Sequence, residues 1–173
     1  MKKHTFFYLM MALGLCLATP AAYSADSKDK TEETAAASSA VGQAIEEITF
    51  ITDKTPSTTA KYYIYLQSSS TCGPCNAEMP HVVKAYKAMT KGKKVELILV
   101  CSDKSEDTAK AFMKKYKADF PCILKSDPQT HKLPGYKAAT SIPNAAVVDA
   151  EGKEIVNAHA ADVIKNWKKY TKK

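Results

Sequence analysis

Apolar and polar residues change rhythm several times along the chain, and each change marks an element. Tyr62-Tyr63-Ile64-Tyr65-Leu66 and Val95-Glu96-Leu97-Ile98-Leu99-Val100 are nearly continuous apolar runs of strand length. Such runs fit strands buried on both faces, as in a parallel sheet flanked by helices. Between them Met79, Val82, Val83, Tyr86 and Met89 recur at helical spacing, with Pro80 inside the pattern as an expected kink. Lys91-Gly92-Lys93 closes that helix, with Gly92 expected just past its C-terminal cap. Ser105 is placed to cap a second helix whose apolar face is Ala109, Phe112, Met113 and Tyr116. Residues 47–52 and 120–124 read as short strands. Residues 145–148 and 153–156 flank Asp149-Ala150-Glu151-Gly152 as a β-hairpin, and Val163, Ile164, Trp167 and Tyr170 give a final helix. The expected order is strand, strand, helix, strand, helix, strand, hairpin, helix. That is a three-layer α/β domain with a mixed central sheet.

The N-terminal region lacks this patterning. An apolar stretch over residues 6–17 follows Lys2 and Lys3, and small residues follow at Ala22, Ser24 and Ala25. The layout is that of a secretory signal peptide, too short to span a membrane comfortably. Residues 26–40 carry no large apolar side chain and cannot bury enough surface to offset chain entropy. The expected organisation is a signal peptide over 1–25, a flexible linker over 26–44 and one folded domain over 45–173. Export to the periplasm is expected, with membrane anchoring if the signal stays uncleaved. The formal charge is +7, and every basic residue other than histidine is lysine. Without arginine's planar fork, nucleic acid is a poor fit as a partner. The clusters Lys91-Lys93-Lys94 and Lys114-Lys115-Lys117 read as solvated surface.

Cysteine carries the chemistry. Cys16 leaves with the signal, and the remaining Cys72, Cys75, Cys101 and Cys122 are too sparse to be the main source of stability. Cys72-Gly73-Pro74-Cys75 follows a strand and opens a helix. Two cysteines three apart there can close a disulfide, and the free N–H groups and positive dipole end stabilise a thiolate. Reversible thiol–disulfide exchange is the chemistry this arrangement suits. Cys101 and Cys122 lie at or beside strands that can neighbour each other. They fit either a second disulfide or, as expected, two buried free thiols packed as small hydrophobes. No second Cys-x-x-Cys exists and His81 lies at no familiar ligand spacing, so no metal site is expected. His131 and His159 are read as surface residues.

Cys72-Gly73-Pro74-Cys75 at the end of a strand, Pro80, and Ile142-Pro143 before a hairpin resemble the thioredoxin fold. Between the active-site helix and Ile142-Pro143 this chain has an additional strand and helix. Cys72-x-x-Cys75-x-x-Glu78-x-Pro80, Phe120-Pro121 and the run from Val147 to Lys153 are similar to the TlpA/ResA branch of exported thioredoxin-like proteins. The resemblance implies a thiol–disulfide oxidoreductase acting on protein thiols and disulfides, as a monomer. A reducing role follows from the Gly-Pro dipeptide and the branch, with electrons from a membrane donor and no cofactor beyond the Cys72–Cys75 disulfide. It implies Cys72 as attacking thiolate, Cys75 as resolving thiol and Glu78 as proton acceptor. Gly73 leaves room for a substrate backbone, Pro74 stiffens the first turn beside it, and Ile142 with a cis Pro143 pairs with a substrate strand. Two usual helpers are missing. Leu66 stands where thioredoxins proper carry a buried aspartate, and Thr71 stands where a tryptophan is usual. A binding protein with an idle or structural cysteine pair, and an oxidising or isomerising exchanger, are the competing expectations.

Overall fold

The computed structural model describes residues 38–172. The two apolar runs form β1 (Tyr62–Ser68) and β2 (Val95–Cys101), which pair in parallel from Tyr62 opposite Val95 to Ser68 opposite Cys101. Every residue of both strands is buried. β3 (Cys122–Leu124) extends the sheet in parallel beyond β2. On the other side β4 (Asn144–Asp149) pairs antiparallel with β1, and β5 (Glu154–His159) pairs antiparallel with β4. The mixed five-stranded sheet has the order β3-β2-β1-β4-β5.

Period-two alternation in the central strands assigns the layers. Tyr62, Ile64, Leu66, Leu97 and Leu99 share a core with α2 (Gly73–Met89), α3 (Glu106–Tyr116) and α4 (Ala160–Tyr170). Tyr63, Tyr65, Ile98 and Val100 face the other way and pack on Val41 and Ile45 of α1 (Ala40–Glu46), with Leu133. Glu96 is the polar intruder in β2. It is 5% exposed, and its carboxylate accepts from the Ser57 and Leu97 backbone N–H groups at 2.9 Å each. A buried carboxylate is tolerated when hydrogen bonds replace its water, and this one ties down the loop before β1.

Three expectations are revised. Residues 47–52 are not a strand: Ile51 N donates to Cys122 O at 2.8 Å, but Cys122 N goes to the Thr52 hydroxyl at 3.2 Å. The side chain takes the place of the next rung, so no ladder forms. Ordered chain begins earlier than 45, because Ser39 caps α1 by accepting from Gly42 N at 3.1 Å, so part of the expected 26–44 linker is helix. α2 runs through Pro80 as one helix and ends in a 3₁₀ turn (Thr90–Gly92). The left-handed residue there is Lys93 (φ 52°), not Gly92. The expected signal peptide, and the linker up to residue 37, lie outside the described residues.

The connections β1–α2 and β2–α3 and the start of β4 all meet at one end of the sheet, where Gln67 lies opposite Asn144 and Ser68 opposite Cys101. The cysteine pair sits at this end.

Candidate redox site

β1 stops at Ser68, and the chain turns through Ser69, Ser70 and Thr71 into the first turn of α2. Cys72 is the N-cap, in extended conformation (φ −89°, ψ 113°). Its Sγ accepts from the Cys75 backbone N–H at 3.2 Å, the place a serine or aspartate oxygen takes in an ordinary cap. Cys72 and Cys75 are joined in a disulfide with their Cα atoms 5.1 Å apart. Cys72 is half-buried, whereas Cys75 is 1% exposed, so an incoming sulfur reaches Cys72. The same N–H and the positive end of a helix of 17 residues face the Cys72 sulfur, an arrangement that favours a thiolate there once the disulfide is opened. Pro74 sits at the start of the helix, where its missing N–H leaves no bond unmade. Gly73 has nothing within 4 Å of where a Cβ would be, so the helix start is open above it.

The structure brings Ile142 and Pro143 to this pair. The Ile142-Pro143 peptide is cis, and Ile142 O lies 3.7 Å from Cys72 Sγ. Glu78 lies one turn beyond Cys75, half-buried. It faces a groove of about 660 Å³ between α2 and α4, which also contains His81, Lys84 and Trp167. Leu66 is 1% exposed and part of the core beneath α2. Cys101 and Cys122 are both free and buried. A hydrogen bond with Cys101 and then burial push the Cys122 thiol upward, so it stays neutral. These two thiols pack as small apolar groups.

Two buried polar residues that the sequence did not single out hold the site. Asp103 follows β2 and is 7% exposed. Its Oδ1 accepts from Ser69 Oγ at 2.5 Å and from Ser70 N at 2.9 Å, gripping the turn that carries Cys72. Ser69 Oγ in turn accepts from Thr71 N at 3.3 Å. Gln67, 1% exposed, grips the opposite loop: Nε2 donates to Lys137 O at 2.9 Å and Oε1 accepts from Ala139 N at 2.7 Å. That loop leads into Ile142-Pro143. The signals were a lone amide ending an apolar run and a lone acid after one. Hydrogen bonds to a charged acceptor contribute about 1.5–3 kcal/mol each, and Asp103→Ala removes two of them. The loss is partly offset because Asp103 Oδ2 is buried without a partner, so Asp103→Ala is expected to destabilise the protein by about 2–3 kcal/mol in urea unfolding, and to raise the rate of proteolytic cutting between Ser69 and Cys72.

A family model described as Thioredoxin-like matches residues 60–155, more than half of the chain, and spans both the cysteine pair and the cis proline. The chain belongs to the thioredoxin-like family. Within that family it is similar to the thiol-disulfide oxidoreductase ResA of Bacillus cereus, 33% identical over 84 residues, covering 49% of this chain and 46% of that protein. ResA of Bacillus subtilis is 32% identical over 84 residues, covering 49% of this chain and 45% of that protein. The chain thus spans about half the length of the curated relatives it matches. A solution structure of a thiol:disulfide interchange protein from Bacteroides sp. superposes with a TM-score of 0.54 at 22% identity, covering 66% of this chain and 75% of that one. That likeness concerns the fold. The thioredoxin-like assignment agrees with the five-stranded mixed sheet, in which α3 and β3 follow β2 ahead of the cis proline.

Proposed function

We propose that this protein is an exported thiol–disulfide oxidoreductase that cycles Cys72 and Cys75 between dithiol and disulfide, working as a reductant of protein disulfides. One observation carries the reading: Cys72 is both the helix cap receiving the Cys75 N–H and a sulfur 3.7 Å from the Ile142 carbonyl beside a cis proline. The similarity to ResA proteins supports the same chemistry.

In this reading the Cys72 thiolate attacks one sulfur of a substrate disulfide, and the other substrate sulfur leaves as a thiolate that takes up a proton. Cys75, shielded one turn in, gives its proton to Glu78 and attacks the Cys72 sulfur. The second substrate thiol departs, and the Cys72–Cys75 disulfide that remains is the oxidised protein. Gly73 and Pro74 leave the approach open, and the Ile142 backbone pairs with an extended substrate segment by strand addition. Two electrons from a membrane donor return the pair to the dithiol.

Equilibration of the protein with glutathione mixtures, followed by alkylation and mass measurement, tests direction. A reduction potential near that of thioredoxin, roughly −270 mV, is expected. A potential near −120 mV, that of a strong oxidant, would overturn the reducing role.

A further inference from the structure

Asn76 follows the cysteine pair directly, and its side chain uses all of its principal hydrogen-bonding directions. Nδ2 donates to Ser70 O at 2.7 Å and to Cys72 O at 2.9 Å. Oδ1 accepts from Tyr116 OH at 2.7 Å and from Lys115 Nζ at 3.0 Å. The partners fix the orientation of the amide, because the two carbonyls only accept and the ammonium only donates. The Cys72 carbonyl is held twice, since the Asn76 backbone N–H also donates to it at 3.0 Å. Lys115 is held in place as well, with its ammonium 4.9 Å from the centre of the Tyr116 ring. The lysine cluster 114–117 is thus not uniform solvated surface. One of its members reaches from α3 to the first turn of α2.

We propose that Asn76, backed by Lys115, is a positioning residue that sets how readily Cys72 ionises. A cation on Oδ1 draws density toward that oxygen and leaves the Nδ2 hydrogens more positive and better donors. Those hydrogens fix the carbonyls of Ser70 and Cys72, and with them the extended backbone that brings the Cys75 N–H to 3.2 Å from the Cys72 sulfur. The lysine also adds positive charge at the N-terminal turn, where the helix dipole already favours a thiolate and where the acidic groups are Asp103, bonded to Ser69 and Ser70, and Glu78 on α2. Asn76 acts through Cys72 and through the cap, without touching substrate. The inference rests on the reading of Cys72 as the attacking thiol. Its test needs no turnover, so its failure is separable from failure of that reading.

The experiment is alkylation of the reduced full-length protein by iodoacetamide from pH 5 to pH 9, following the Cys72 peptide by mass spectrometry. Asn76→Ala is expected to move the midpoint of the profile upward by roughly 0.5–1 unit, a three- to tenfold loss of rate below the midpoint. Lys115→Met is expected to move it about half a unit, and Lys115→Arg to leave it in place. The limiting rate at high pH stays within about twofold throughout, and the double variant moves no further than Asn76→Ala alone. Unchanged midpoints in Asn76→Ala and Lys115→Met would overturn the proposal. So would a fall in the limiting rate at an unchanged midpoint, since that is loss of loop support alone. Lys115 is exposed, so its two variants decide the matter even if Asn76→Ala fails to fold.

Discussion

Replacing Cys72 by serine is expected to reduce the exchange of protein disulfides to the uncatalysed background. A drop of more than about 1,000-fold in insulin reduction should result, since a neutral hydroxyl at the helix cap is no substitute for a thiolate. Relative to the dithiol form, stability should change little, because serine is itself a preferred N-cap and can accept the same Cys75 N–H. Serine for Cys75 is expected to remove turnover as well, by a different route. The attack still occurs, but the mixed disulfide on Cys72 has no internal thiol to resolve it. Serine at Cys101 or Cys122 should leave the exchange rate within about threefold, because both are buried in the core beside each other rather than in the pair. Loss of reduction with Cys101→Ser, or persistence with Cys72→Ser, would move the chemistry to different sulfurs.

The second large effect is on stability and comes from Gly135. Its φ is +76°, and a Cβ there would meet the Gly152 carbonyl oxygen, a backbone atom that cannot swing aside. Gly152 itself has φ +81° and no room for a Cβ against Pro134. The two glycines let the loop before Ile142 press against the β4–β5 turn, and Tyr65 OH donates to Pro134 O at 2.9 Å beside them. Gly135→Ala combines left-handed strain with displaced backbone, an expected loss of about 3–4 kcal/mol. That corresponds to a drop of roughly 10 °C in unfolding midpoint for a domain of this size. Gly73→Ala is the control: with nothing near its Cβ position and a helical place in the chain, it should stay within about 0.5 kcal/mol of the parent. Both are read from thermal unfolding followed by circular dichroism.

The parts of this fold that could be seen in the sequence are those that repeat locally. β1 and β2 were legible because strands buried on both faces leave continuous apolar runs, and α2, α3 and α4 because their core faces recur at helical spacing. The Cys72–Cys75 pair and Ile142-Pro143 were legible as short motifs, and the fold does bring them within 3.7 Å across some 70 residues of chain. Residues 47–52 misled because they mix β-branched and aromatic residues like a strand, with Ile48 and Phe50 turned to the core. Their burial against the α1 layer is real, but a Thr52 hydroxyl occupies the rung that would have made a ladder. The supports of the site were invisible for a related reason. Gln67, Asp103 and the Oδ1 side of Asn76 are tied by hydrogen bonds to residues 33 to 72 positions away, and such pairings have no period along the chain. Each looked like an ordinary polar residue at the edge of an element. Leu66 and Thr71 mark the reverse case: the sequence showed two helpers missing, and the fold shows what surrounds the pair instead. Asp103 grips the turn ahead of Cys72, and Asn76 grips the carbonyl behind it.

The central claim is that Cys72 attacks and Cys75 resolves. Incubating the Cys75→Ser protein, once reduced, with a disulfide-bonded peptide and quenching with acid tests it directly by intact mass and peptide mapping. The account predicts a covalent adduct of one protein with one half of the peptide, joined at Cys72 and released by dithiothreitol, with the wild type showing oxidised protein and no adduct. An absence of adduct, or an adduct joined at Cys101 or Cys122, would contradict it.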